Sequence, residues 1–411
     1  MPESMRSIIL RTDRPRLAGA LVYSRITGRP AVYAQAPVTM ATVPEPPLPT
    51  GAWVRVRSTL AGICGSDLKT LRLAISTRAA NQAHRRAGTG PIFLGHETVG
   101  VITEASTGCA WARTGQRIAM IPHTPCAARS LSPCAACRDG LTLLCDHRDD
   151  PAPPELAGAG GGWSDRFLRH ESQVFAMPDA IPDAVGVLFD PIACAAHCVL
   201  RKPPAAGDTV LVIGAGTIGL ACIAILRLVE PSARIIALVR HPFQADAATR
   251  AGAHDVIRAP VSEAYDPLAR AIGSTAAGHR PSNRVIVSGF HAVYDTVGSA
   301  DTLHHALRWT RPRGAVIVEG VNLFPGILDR TPLWHREITV LGALGHGAEQ
   351  WNGKSLHTFD LVAGWITDGR LDLGWLLTHR FAFENFRAAI TSAADKPASA
   401  SIKVALEFST P

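Results

Sequence analysis

Apolar positions change their spacing along this chain, and the changes divide it. Over residues 1–60 the apolar runs are short and of β type, at 31–33 and 53–57, with a Pro-rich loop at 44–49 between them. Short strands bounded by turn residues suit an antiparallel, barrel-like domain better than a second parallel sheet. From about 196 to 345 the pattern alternates. Runs at 210–213, 234–239, 285–287, 292–295 and 315–318 read as strands, and 220–229, 245–251 and 300–309 as helices or parts of them. That alternation predicts a doubly wound parallel sheet in an α/β chain. The expected domains are 1–193 (barrel-like), 194–345 (doubly wound) and 346–411, a return to the first.

The run at 210–213 is followed at once by Gly214-Ala-Gly216-Thr217-Ile218-Gly219. In G-x-G-x-x-G the glycines serve a tight turn, close approach of backbone to a pyrophosphate, and tight helix-on-strand packing. The helix N-terminus then offers free N–H groups to the phosphates. A strand before and a helix behind are the context that makes the motif a Rossmann fingerprint, so Gly214, Gly216, Thr217, Ile218 and Gly219 are candidate cofactor-binding residues. At the end of the second strand an NAD-binding chain usually carries an acid for the ribose 2′-OH. Here Val239 stands there, followed by Arg240 and His241. A guanidinium fork suits a 2′-phosphate, so NADP is expected over NAD. A solvent-facing Arg240 with relaxed use of NAD is the alternative. Val297, in Asp295-Thr-Val-Gly298, is a further cofactor candidate.

Composition narrows the partners. Among 411 residues, 47% are hydrophobic and 18% charged, the ordinary balance of a globular protein. The net charge of +7 comes from scattered Arg and Lys without a basic run, which argues against a nucleic-acid partner; it reads as a surface property or as help in attracting an anionic cofactor. No stretch of about 18 apolar residues predicts a membrane span, and the N-terminal apolar run is too short for a signal peptide. Nine cysteines without an export signal favour metal or catalysis over disulfides, and a cytoplasmic location.

Cys64-Gly-Ser66-Asp67-Leu-Lys69 and, later, Gly95-His96-Glu97 supply a thiolate and an imidazole, both good zinc ligands. In this order, ahead of a Rossmann fingerprint, they resemble the catalytic-zinc segments of the medium-chain dehydrogenase/reductase family of zinc alcohol, polyol and threonine dehydrogenases. The resemblance covers most of the chain from about residue 50 onward and implies a GroES-like catalytic domain beside the Rossmann domain. It implies that Cys64 and His96 bind a catalytic zinc, with Glu97 an occasional ligand or a carboxylate behind the ligands. Ser66 would pass the substrate's hydroxyl proton, and Asp67 would orient His96. Many relatives carry a histidine where Lys69 stands, so the proton relay departs from the pattern. The spacer 70–91, with Arg78, His84, Arg85 and Arg86, is longer than usual; it reads either as a substrate-covering loop or as a solvated insertion. Asp190, in Phe-Asp190-Pro-Ile, matches the acidic position that polyol and threonine dehydrogenases place beside zinc; its other reading is a cap for the helix that follows.

Cys126, Cys134, Cys137 and Cys145 suit a closed structural zinc site. The last three match the family's spacing. The first does not, because Leu131 stands where a ligand would fall. Either the intervening loop bulges and Cys126 still binds, or the site is altered or empty, with His123 as a substitute ligand. By the resemblance the chain interconverts a secondary alcohol, a polyol or another polar alcohol, with a carbonyl, using Zn2+ and NADP(H) or NAD(H), as a homodimer or homotetramer. The rivals are an NADPH-dependent aldehyde, ketone or enoyl reductase, and a catalytically silent nucleotide-binding protein. A metal-free enoyl reductase would not need Cys64 and His96 together.

Overall fold

The computed structural model describes residues 3–11, 38–73, 92–150, 158–278, 283–322 and 326–409, with 19, 22 and 26 as single positions. The expected run at 31–33 and the spacer from 74 to 91, with its basic residues, lie outside the described residues. Contacts divide the chain into Met1–Asp190 with Gly374–Pro411, and Pro191–Leu373.

The first unit opens with β1 (Ser4–Leu10), β2 (Val38–Pro44), β3 (Trp53–Ile63), α1 (Gly65–Leu73), β4 (Ile92–Phe93), β5 (Thr98–Ala105), β6 (Arg117–Met120), β7 (Arg166–His170) and β8 (Val174–Ala176). The long β3 organises it. One half of β3 pairs antiparallel with β7 (Trp53↔His170 to Arg57↔Arg166), and β5 runs antiparallel along most of its length. Nearly every β3 side chain is buried, as a strand covered on both faces requires. α2 (Phe189–Arg201) then leads into the second unit.

The second unit contains β9 (Thr209–Ile213), α3 (Thr217–Val229), β10 (Arg234–Val239), α4 (Pro242–Ala251), β11 (Asp255–Arg258), β12 (Ala276–Ala277), β13 (Val285–Ile286), β14 (Phe290–Asp295), α5 (Ala300–Trp309), β15 (Thr310–Val318), β16 (Thr339–Gly342), β17 (Ala348–Trp351), β18 (Lys354–His357) and α6 (Thr358–Thr367). Six strands form a parallel sheet in the order β11-β10-β9-β14-β15-β16, the doubly wound arrangement expected. One expectation is corrected here, and two strands of the sheet were not expected. The run at 285–287 supplies no strand to that sheet, because β13 pairs antiparallel with β12 in a separate hairpin. The edge strands β11 and β16 are short, each with only two apolar residues, half-buried in β11 and exposed or half-buried in β16, and do not announce themselves as apolar runs.

The return to the first unit falls at Gly374, not at 346. Residues 346–373 form the β17–β18 hairpin and α6, and they stay with the second unit. Glu349 on β17 is ion-paired with His197 of α2, and Thr358 Oγ1 caps Gly347, so the segment is tied where it lies. The first unit closes with β19 (Leu377–Ala382), α7 (Phe386–Ala394) and β20 (Lys403–Glu407). β20 pairs antiparallel with the end of β3 that β7 leaves open, Val404↔Ile63 to Glu407↔Leu60.

Candidate active site

Three strand ends converge in the first unit. β3 stops at Ile63 and hands Cys64 to the start of α1; β5 begins at Thr98, just after His96-Glu97; β20 begins at Lys403. Register brings them together. Ala61 pairs with Thr98, Gly62 N–H donates to the Glu97 carbonyl at 2.7 Å, and Val404 pairs with Ile63. One ligand atom each from Cys64, His96 and Glu97 lies within 4.8 Å of the others. Glycines make the room. Gly95 has φ +85°, and a Cβ there would stand 2.3 Å from the Trp163 ring; a Cβ on Gly62 would stand 2.4 Å from a Glu97 carboxylate oxygen. Trp163 is locked in turn by its Nε1–H donating to the Gly62 carbonyl at 3.0 Å.

Asp67 serves both sides of this group. Its Oδ2 accepts from Cys64 N–H at 2.9 Å, and its Oδ1 lies 3.3 Å from His96 Nδ1. Holding the proton on Nδ1 leaves the Nε2 lone pair available as a ligand. Ser66 Oγ lies 3.4 Å from that Nε2, and Lys69 follows Ser66 by about one helical turn on α1. Asp190, 8% exposed, lies in the first turn of α2 and not at its cap; it stands outside the group of three, although its charge reaches Lys403.

The electrostatics are those of a cation site. Burial works against a charged His96 ring, but the negative charges of Asp67 and Cys64 outweigh it and raise its pKa well above the ordinary histidine value. Lys403 is 3% exposed and ion-paired with Glu97, itself 1% exposed. Burial would lower the lysine, and Glu97, Cys64 and Asp190 raise it instead. Glu97 spends Oε2 on Lys403; its Oε1 is buried without a hydrogen-bond partner. A buried carboxylate oxygen left over beside a thiol and an imidazole fits zinc, which is commonly bound by groups of these three kinds. Lys403 was missing from the candidate residues. Its signal was a lysine inside the apolar run Ile402-Lys-Val-Ala-Leu406, where a buried charge must find a partner.

The four cysteines also meet. Cys126 opens a 3-10 turn, Cys126–Arg129, that ends at Ser130 with φ +54°, and Leu131 N–H bonds back to the Cys126 carbonyl. This bulge turns Leu131 outward and carries Cys126 to 3.6 Å from Cys145 Sγ, with Cys134 Sγ 3.9 Å from Cys145 Sγ. All four sulfurs lie within 4.8 Å of one another. Backbone N–H groups of Asp146 and Cys137 lower the Cys134 thiol to about 6, whereas burial pushes Cys137 up to about 12 and raises Cys145. Four thiols crowded in this way fit a tetrahedral metal; without one, their like charges oppose joint ionisation.

In the second unit, Gly214 has φ +94°, and a Cβ there would meet Val297 at 2.8 Å. A Cβ on Gly219 would stand 2.0 Å from the Gly214 carbonyl oxygen, while one on Gly216 would meet nothing within 4 Å. Turn, close packing and open approach therefore fall to the three glycines as the motif predicts. Gly216 caps α3, whose first turn contains Thr217, Ile218 and Gly219. The next loop is fixed by Asp295, which accepts from Val297 N–H at 3.1 Å and Gly298 N–H at 2.9 Å, and leaves Val297 exposed. Val239 ends β10 and is buried; Arg240 is exposed, its N–H donating to Gln244 Oε1 at 3.2 Å.

A parallel dinucleotide-binding sheet in one unit and a Cys-His-Glu donor set in the other define a zinc-binding dehydrogenase. Residues 50–179 match the family described as Alcohol dehydrogenase GroES-like domain, and residues 217–359 match Zinc-binding dehydrogenase. Starvation-sensing protein RspB of Escherichia coli (strain K12) is 26% identical over 84% of this chain and 90% of its own length. L-idonate 5-dehydrogenase of Vitis vinifera is 26% identical over 80% of this chain and 81% of its own. The solved structure of galactitol-1-phosphate dehydrogenase from Escherichia coli superimposes with a TM-score of 0.71 at 22% identity, covering 98% of this chain and 100% of that one. The chain belongs to the zinc-dependent medium-chain dehydrogenase/reductase family and is an NAD(P)-dependent alcohol–carbonyl oxidoreductase. No helix among the described residues is long and apolar enough to cross a membrane.

Proposed function

We propose that this enzyme oxidises a polar secondary alcohol reversibly to a ketone, with NADP(H) as the preferred cofactor and zinc held by Cys64, His96 and Glu97. The observation that carries the reading is the meeting of these three ligand atoms around an unpartnered Glu97 Oε1. Zinc bound there supplies a Lewis acid that lowers the pKa of a substrate hydroxyl. Asp67 keeps the proton on His96 Nδ1, and Lys403 holds the second Glu97 oxygen. Ser66, next to His96 Nε2, receives the hydroxyl proton, and Lys69 takes the place of the usual histidine in passing it toward solvent. Asp190 acts through water and through the charge it adds beside Lys403. The second site, Cys126, Cys134, Cys137 and Cys145, holds a structural zinc.

A polyol-like substrate is supported by the sugar-acid substrate in the name of the 26%-identical L-idonate 5-dehydrogenase. The preference for NADP is supported by Val239 in place of an acid and by the exposed Arg240 beside it. The enzyme is proposed to work in the cytoplasm as a homodimer or homotetramer. The test is a screen of secondary alcohols and ketones with each cofactor, on wild type and on Cys64→Ser. The variant is expected to bind nucleotide as before and to lose turnover. Unchanged turnover would reject the zinc assignment, and a higher kcat/KM with NAD would reject NADP.

A further inference from the structure

We infer that Arg258, at the end of β11, is a second determinant of cofactor choice and forms with Arg240 a two-arginine clamp for the adenosine 2′-phosphate. This rests on the NADP reading above. β10 and β11 pair in parallel with Val239 opposite Arg258, and Ala259 N–H donates to the Val239 carbonyl at 3.2 Å. Paired strands lie about 4.8 Å apart, so Arg258 and Arg240, one residue beyond Val239, leave neighbouring strand ends. These are the carboxyl ends of the strands, and Gly214 turns out of β9 at the same sheet edge: its N–H donates to the Leu238 carbonyl at 2.9 Å, one residue before Val239. Ligands of open parallel sheets sit outside this edge.

Both arginines are exposed, and neither guanidinium has a hydrogen bond or ion pair among the described residues. Three other arginines of this unit are paired with acids: Arg234 with Asp255, Arg284 with Asp266, and Arg308 with Asp329. Two cations leaving neighbouring strand ends can share one dianion between them. A phosphate monoester offers three oxygens to two planar forks. A ribose hydroxyl offers one neutral group and gains little from the second cation.

Calorimetric titration with 2′,5′-ADP and with 5′-AMP reads the clamp without the metal site or turnover. Wild type is expected to bind 2′,5′-ADP more tightly. Arg258→Gln should weaken 2′,5′-ADP by about tenfold or more and leave 5′-AMP within about twofold, the loss of one charge-assisted contact. Arg258→Lys should restore part of the difference, and the thermal transition should not move. If wild type prefers 2′,5′-ADP, Arg240→Gln loses the preference and Arg258→Gln keeps it, the second determinant is overturned while NADP stands. Equal binding of the two probes by wild type overturns both.

Discussion

Lys403 brings a full positive charge into a strand whose neighbours Val404, Ala405 and Leu406 are buried, and Glu97 is what makes this tolerable. Each ion alone would face a desolvation cost larger than any single packing gain. Glu97 is thereby held in place beside Cys64 and His96. In zinc-free protein, Lys403→Met is expected to destabilise the first unit by about 3–5 kcal/mol, because it leaves Glu97 buried and uncompensated. Adding Glu97→Gln should recover a substantial part of that loss. Urea unfolding of the two single variants and the double variant measures the coupling; additive effects would show that the pair does not act as a pair. Asp67 works at the same scale, one carboxylate holding both the Cys64 backbone and the His96 ring.

Between elements, Glu171 is a similar device built from backbone. It follows β7, and its carboxylate accepts from Ala110, Trp111 and Ala112 N–H at 2.9, 2.6 and 2.7 Å, tying the loop after β5 to the turn before β8. Burial alone would raise its pKa, and the three N–H groups lower it instead. With the folded pKa below the unfolded one, the unfolded chain takes up the proton first as pH falls. The stabilisation is therefore complete above the ordinary glutamate value and is lost as pH falls through the depressed folded value. Thermal denaturation of wild type and Glu171→Gln should give a gap that is widest near neutrality and narrows in acid; a gap independent of pH would remove this carboxylate from the account. The glycine turn after β9 was legible from residue types, because its steric demands are local. The edge strands β11 and β16 were not, since an edge strand has one solvated side and no need for an apolar run. The hairpin β12–β13 misled for the complementary reason: two β-branched residues fit any half-buried pair.

For the whole molecule, two clusters of metal-ligating side chains in one chain make a stoichiometric prediction. Purified protein should hold about two zinc atoms per chain, and Cys126→Ser about one, with a lower thermal midpoint because a structural zinc contributes folding energy. Metal quantitation by mass spectrometry decides it. A Cys126→Ser protein with undiminished zinc would remove this cysteine from the site.

The sequence by itself determined the class of each part: a nucleotide turn between a strand and a helix, a thiol–imidazole pair, a four-cysteine lobe. Each depends on groups close in the chain, where spacing and residue type settle geometry. Only the tertiary structure decided which distant groups share a space. The bulge at Ser130 carries Cys126 into its cluster despite an irregular spacing, and β20 delivers Lys403 to Glu97 from the far end of the chain. Strand register likewise sets Arg258 beside Val239. Strand pairing is long-range, and no local pattern states which strand ends will meet.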